Sequence, residues 1–242
     1  MKKELKEDIR TDEFASGIEH FLAWAGRHRD ELRIGVFVLV VAAGAALAIV
    51  RFRDQRLREA DRALRDALTT FEAPLTSELP PGGERPSGAV FATAEDKYKT
   101  AAAAFEGVER RYGSSAAGTR AKYFAALSRL ELGQYAEAEK ALKEIQALGA
   151  GLEPDLARLA LADCYRRSGQ VDKAVEAYRS FATNPSSSLP RDHALMSAAQ
   201  TLEDARRFAE ARAAYRQLAE EFPASVFAPS ARTKADYLAT AS

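Results

Sequence analysis

Gly133-Gln134-Tyr135-Ala136-Glu137-Ala138-Glu139-Lys140-Ala141-Leu142 is answered 36 residues later by Gly169-Gln170-Val171-Asp172-Lys173-Ala174-Val175-Glu176-Ala177-Tyr178. In both, a Gly-Gln turn leads into a segment whose small and large apolar residues recur at helical spacing. The pattern extends outward in both directions. Ala101, Ala138, Ala174 and Ala211 stand 37, 36 and 37 residues apart; four residues after each comes Phe105, Leu142, Tyr178 or Tyr215, and three further on Val108, Ile145, Phe181 or Leu218. Twelve residues before the last three alanines lie Ala126, Ala162 and Ala199, each in its own apolar-periodic segment. The unit is therefore a pair of helices, repeated. Alanine lets the two helices approach closely while the aromatic and aliphatic residues fill the gaps beside it. A pair of this kind cannot bury its apolar face alone, so pairs stack into a solenoid.

The fourth copy replaces the turn glycine with Arg206-Arg207-Phe208, a degraded turn signal, and the first copy lacks a first helix. The twelve-residue step back from Ala101 lands on Ala89, in a Pro/Gly-rich stretch with Leu79-Pro80-Pro81-Gly82-Gly83 that cannot be helical. Leu57, Leu64, Leu68 and Phe71 form a helical stripe further upstream, so a long helix from about Ile34 to Phe71 is predicted to supply the missing layer, with 73–93 as a flexible loop. Ala235 and Leu238 repeat the first-helix spacing in a closing helix from about Val226.

From Ile34 to Val50 there are 17 residues without a charge, ten of them Ile, Leu, Val or Phe, bounded by Arg33, Arg51 and Arg53. This reads as a membrane span: each such residue favours insertion by roughly 0.3–0.6 kcal/mol, and nothing in the segment opposes them. The span begins 33 residues into the chain and exits into arginine, unlike a cleaved leader. Arg51, Arg53, Arg56, Arg58, Arg62 and Arg65 follow it, against Arg27, Arg29 and Arg33 before it, a bias that places the repeats in the cytoplasm. The 15 formal charges of the first 33 residues argue the other way, because they would have to cross. Thr11 caps a predicted amphipathic helix carrying Phe14, Ile18, Phe21, Leu22 and Ala25, suited to a membrane surface or a partner.

The domains are thus a charged and amphipathic segment (1–33), a transmembrane helix (34–50), a helical extension (51–72), a flexible loop (73–93) and a repeat domain (94–242), all-α throughout. The repeat pattern resembles the tetratricopeptide repeat. A Gly between the helices, an Ala five residues on, a large apolar residue four beyond it and a closing Pro are matched by Gly133/Ala138/Leu142, Gly169/Ala174/Tyr178 and Ala211/Tyr215/Pro223. The period is longer than that family's usual spacing, and the first-helix aromatic is mostly missing.

The layout as a whole is similar to the bacterial ancillary Sec translocon subunits that carry a tetratricopeptide-like domain. That resemblance implies a single-pass inner-membrane protein with a cytoplasmic N-terminus and a periplasmic repeat domain contacting the translocon and chaperones; the six arginines after Val50 depart from it.

Function is expected to be protein binding. Solenoids bind through first-helix side chains, here Lys122, Arg129, Arg158, Tyr165, Arg166 and Leu195, each of which a solvated face also explains. The repeats carry 21 basic and 20 acidic residues and the whole chain has zero net charge, so neither a single-sign groove nor a nucleic-acid footprint is present. Three histidines (His20, His28, His193), one cysteine (Cys164) and no phosphate-binding glycine loop make no catalytic, metal or cofactor constellation. His193 reads as a helix-start residue and Cys164 as a small packing residue. Small residues at Ala42, Gly44, Ala46 and Ala48 leave self-association of the span open.

Overall fold

The computed structural model describes residues 24–240 except 25, 81–87, 186 and 188. The predicted amphipathic helix starting after Thr11 lies outside the described residues. The chain divides into two compact units, Met1–Arg56 and Leu57–Ser242.

Helix α1 spans Arg29–Phe71. Its residues 34–50 are exposed throughout, and the helix is long and apolar enough to cross a membrane. In its last part Ala60, Leu64 and Ala67 are buried, at the 4,3 spacing of one helical stripe. They pack in one cluster with Ala101, Phe105, Val108 and Tyr112 of α2 (Ala94–Tyr112) and Ala117, Ala121 and Ala125 of α3 (Ala116–Glu131). Phe71 seals the cluster, lying edge-on to Tyr98, Phe105 and Phe124 at centroid distances of 5.6, 6.0 and 5.7 Å. The first copy's missing helix is supplied in this way.

Residues 73–93 depart at both ends from a plain flexible loop. A 3-10 turn at Thr76–Glu78 and a bridge between Leu75 and Phe91 tie the two ends together, and the Thr76 amide donates to the Phe91 carbonyl at 2.8 Å.

The remaining helices are α4 (Tyr135–Gln146), α5 (Leu152–Arg167), α6 (Val171–Ala182), α7 (Arg191–Asp204), α8 (Phe208–Glu221) and α9 (Ala228–Thr240). Among the described residues no strand is present. The pairs α3/α4, α5/α6 and α7/α8 repeat one arrangement and α9 closes the stack. Ala101, Ala138, Ala174 and Ala211 are fully buried, as are Ala126, Ala162 and Ala199. The large residues beside them, Phe105, Leu142, Tyr178 and Tyr215, are buried too. Ala228, Ala231, Ala235 and Leu238 give α9 one buried face.

The turns within pairs share one geometry. Gly133 and Gly169 have φ of 73° and 77°, and the next amide reaches back to the carbonyl five residues before it, Gln134 to Arg129 at 2.9 Å and Gln170 to Tyr165 at 2.8 Å. This is the Schellman closure of a helix, which satisfies its last carbonyls through a left-handed residue. The fourth copy keeps the closure without the glycine. Arg206 takes φ 59°, and the Arg207 amide bonds the Leu202 carbonyl at 2.9 Å. The turn is degraded in sequence and intact in geometry, because the packing of α7 on α8 imposes it.

Candidate protein-interaction groove

The first helices of three successive pairs, α3, α5 and α7, stand side by side and leave a groove of about 450 Å³ between them. Tyr123 and Leu127 enter it from α3, Leu159, Asp163 and Arg166 from α5, and His193, Ser197 and Gln200 from α7, with Tyr178 at its floor. The repeat sets this lining. Stepping one residue past each first-helix alanine gives Leu127, Asp163 and Gln200, while Ala126, Ala162 and Ala199 themselves point into the core.

The lining is mixed in character. Tyr123 and Leu127 are half-buried against the core. Arg166 donates from Nε to Asp163 Oδ1 at 2.9 Å. Burial lowers the guanidinium's pKa, but the Asp163 carboxylate outweighs that and holds it above its ordinary value. Burial and the same Asp163 charge push the Tyr178 hydroxyl up to about 12. An apolar ledge beside a paired Arg–Asp, the Asp204 carboxylate and hydrogen-bonding side chains suits the side chains of a polypeptide segment.

Of the six residues predicted to bind, Arg166 lies in this groove. Lys122 and Arg129 line a separate charged cleft with Glu109, Glu137, Lys140 and Glu144. There Lys122 bridges Glu144 and Glu109, and Arg129 donates to Glu106 at 2.6 Å. Arg158 pairs with the buried Asp155 at 2.5 Å and donates to the Gly149 carbonyl at 3.0 Å, so it braces the start of α5.

Two predictions are corrected. Leu195 is 1% exposed and belongs to the core, because the residue four before Ala199 faces the same way as that alanine. Tyr165 is likewise buried, its ring under Lys173 and its hydroxyl 3.2 Å from Glu139. The groove residues Tyr123, Leu127, Leu159, His193 and Gln200 were not predicted. The available signal was the one-residue offset from the alanines, obscured because Leu127, Asp163 and Gln200 share no chemistry.

His193 occupies the first turn of α7, as expected, and also the groove mouth, its ring 5.9 Å from that of Phe227. Cys164 is buried, and equivalent positions in the neighbouring pairs hold Ser128 and Thr201, also buried. Burial, followed by the Glu139 and Asp163 charges, pushes its thiol up to about 11, so it is a packing residue. Among the described residues no group of three or more His, Cys, Asp or Glu is disposed to hold a metal ion.

The fold and groove define an α-solenoid of tetratricopeptide-like helix pairs. Residues 123–188 match one tetratricopeptide repeat family and 193–225 a second, so the repeats identified by spacing are recognised across α3 to α8. Repeats of this type build scaffolds for protein–protein interaction. Two solved structures of TPR-like repeats from a Podosopora anserina protein described as a kinesin light chain are similar at 16% identity, one with a TM-score of 0.47 and the other of 0.48. Each likeness covers 60% of this chain and 79% of the other. Among curated proteins, none matches this chain.

Proposed function

We propose that this protein is a membrane-anchored scaffold whose groove between α3, α5 and α7 binds segments of other proteins. The carrying observation is that groove: three first helices present apolar and hydrogen-bonding side chains in one line. The exposed apolar stretch 34–50 supplies the anchor in this reading. The layout supports the periplasmic side of a bacterial inner membrane, with the translocon and periplasmic chaperones as partners in translocation or folding.

A second reading puts the repeats in the cytoplasm, favoured by the six arginines after Val50. Protease treatment of spheroplasts separates the two: digestion of a C-terminal tag with the inner membrane intact supports the periplasmic side, and protection until detergent lysis supports the cytoplasmic one.

The scaffold reading is tested by a photoreactive residue at Leu127 or Gln200 of the full chain in its native membrane. Cross-links to other polypeptides, weaker from the exposed Ala213 of α8, are expected. Cross-links only to copies of itself would replace the scaffold by a self-assembling structural protein.

A further inference from the structure

The groove between α3, α5 and α7 changes character from one side to the other. On the α3 side its wall is apolar, built by Tyr123, Leu127 and, from α5, Leu159, all three half-buried. On the α7 side it is polar, and the last residue of that helix, Asp204, is exposed in its lining. Besides the two tyrosines, its titratable groups are Asp163, Arg166, His193 and Asp204. Asp163 and Arg166 neutralise each other, with Nε donating at 2.9 Å. His193 stands in the first turn of α7, eleven residues and ~16 Å along the helix from Asp204. One carboxylate is therefore left without a counter-charge.

The cations around Asp204 do not supply it. Arg207 is held by Asp172 and Glu210, and Lys234 of α9 by Glu203, the residue beside Asp204. Arg206, two residues on, makes no ion pair with it, and among the described residues no other cation does. The end of α7 adds negative partial charge of its own at the same place, with no basic residue in its last turn. Where the row one residue past each alanine continues onto α9 it carries Asp236, with Arg232 one turn before, so the closing helix adds one charge of each sign.

We propose that the occupant of this groove is a polypeptide segment carrying a large apolar side chain and a lysine or arginine, the first packed on Tyr123, Leu127 and Leu159 and the second paired with Asp204. The proposal rests on the reading of the groove as a protein-binding site. The apolar anchor supplies most of the attraction, because it leaves water for a half-buried ledge. The carboxylate supplies discrimination: a basic segment finds a counter-charge, whereas an acidic one meets Asp204 and the helix end together.

The test selects phage-displayed random dodecapeptides on the full chain in nanodiscs of phosphatidylcholine, whose lack of net charge avoids selecting basic sequences for the lipid. Peptides retained by the wild-type chain and lost on Leu127→Ser are groove ligands; Leu159→Ser serves the same purpose should the first variant fall short of native helicity. Among these ligands Lys and Arg are expected to outnumber Asp and Glu by about threefold, the size of effect an exposed ion pair gives. Asp204→Asn is expected to remove that excess, and so is Gln200→Lys, which sets a cation one turn from Asp204. Groove ligands with no basic excess, or an excess that both variants leave intact, overturn the proposal and leave the protein-binding groove standing. Recovery of no peptide that depends on Leu127 or Leu159 overturns both.

Discussion

Arg206 holds the left-handed backbone conformation that Gly169 holds in the preceding pair, at φ 59° against 77°, and both close their helix with the same reach-back hydrogen bond. An L side chain there costs about 1–2 kcal/mol relative to the right-handed region, whereas glycine pays only through its freer unfolded state. Arg206→Gly is therefore expected to stabilise the repeats by about 0.5–1 kcal/mol, and Arg206→Val to destabilise them by about 1 kcal/mol or more. Thermal unfolding followed by circular dichroism reads both; a lower midpoint for Arg206→Gly would mean that the arginine side chain supplies something the backbone argument omits.

Gly118 behaves in the opposite sense. In an exposed helix, Gly→Ala gains up to about 1 kcal/mol. Here a Cβ would meet the Tyr112 carbonyl oxygen at 2.1 Å, since α3 begins directly against the end of α2 with Ser115 capping it at 3.1 Å. Gly118→Ala is expected to cost about 1–3 kcal/mol in chemical denaturation, because two backbones must move apart.

Cys164 is expected to resist alkylation at pH 8 in the folded protein and to react on unfolding, since its thiol is buried and pushed up to about 11. Cys164→Ser is expected to cost no more than about 1.5 kcal/mol, because Ser128 is accommodated at the equivalent place by a 2.8 Å hydrogen bond to the Phe124 carbonyl. Rapid native-state labelling would show that the α4–α5 contact opens readily.

The closing helix is expected to loosen in acid. Burial raises the pKa of Glu203, but hydrogen bonds from Lys234 and Tyr215, at 2.6 Å each, outweigh it and hold the carboxyl below its ordinary value. A depressed pKa contributes stability that is complete above the unfolded value of about 4.3 and is lost as pH falls through the folded one. Hydrogen exchange of α9 should therefore accelerate relative to α5 between about pH 5 and pH 3. Glu203→Gln should bring the higher exchange to neutral pH; unchanged exchange would sink the assignment.

Much of the architecture was legible in the residues themselves. The recurrence of Ala101, Ala138, Ala174 and Ala211 with a large residue four places on determines the helix pairs, because only small residues allow the backbones so close and only one helical face shows that spacing. The stripe Leu57, Leu64, Leu68 and Phe71 likewise identified the helix that completes the first pair, although Leu57 proved exposed while Ala60 and Ala67 are buried. Position along a helix says which residues share a face, and the apolar ones among them mark the face that must be buried.

What the tertiary structure alone decided is which polar face meets which. Arg129, Arg158 and Arg166 look alike in sequence, yet one pairs with Glu106 on the neighbouring helix, one braces the buried Asp155 and one lines the groove. The conformation of Arg206 and the ion pairs between successive helix pairs were also invisible in the linear pattern. Both arise when stacked pairs bring residues about 36 positions apart side by side, and helical periodicity carries no information about such neighbours until the stacking is known.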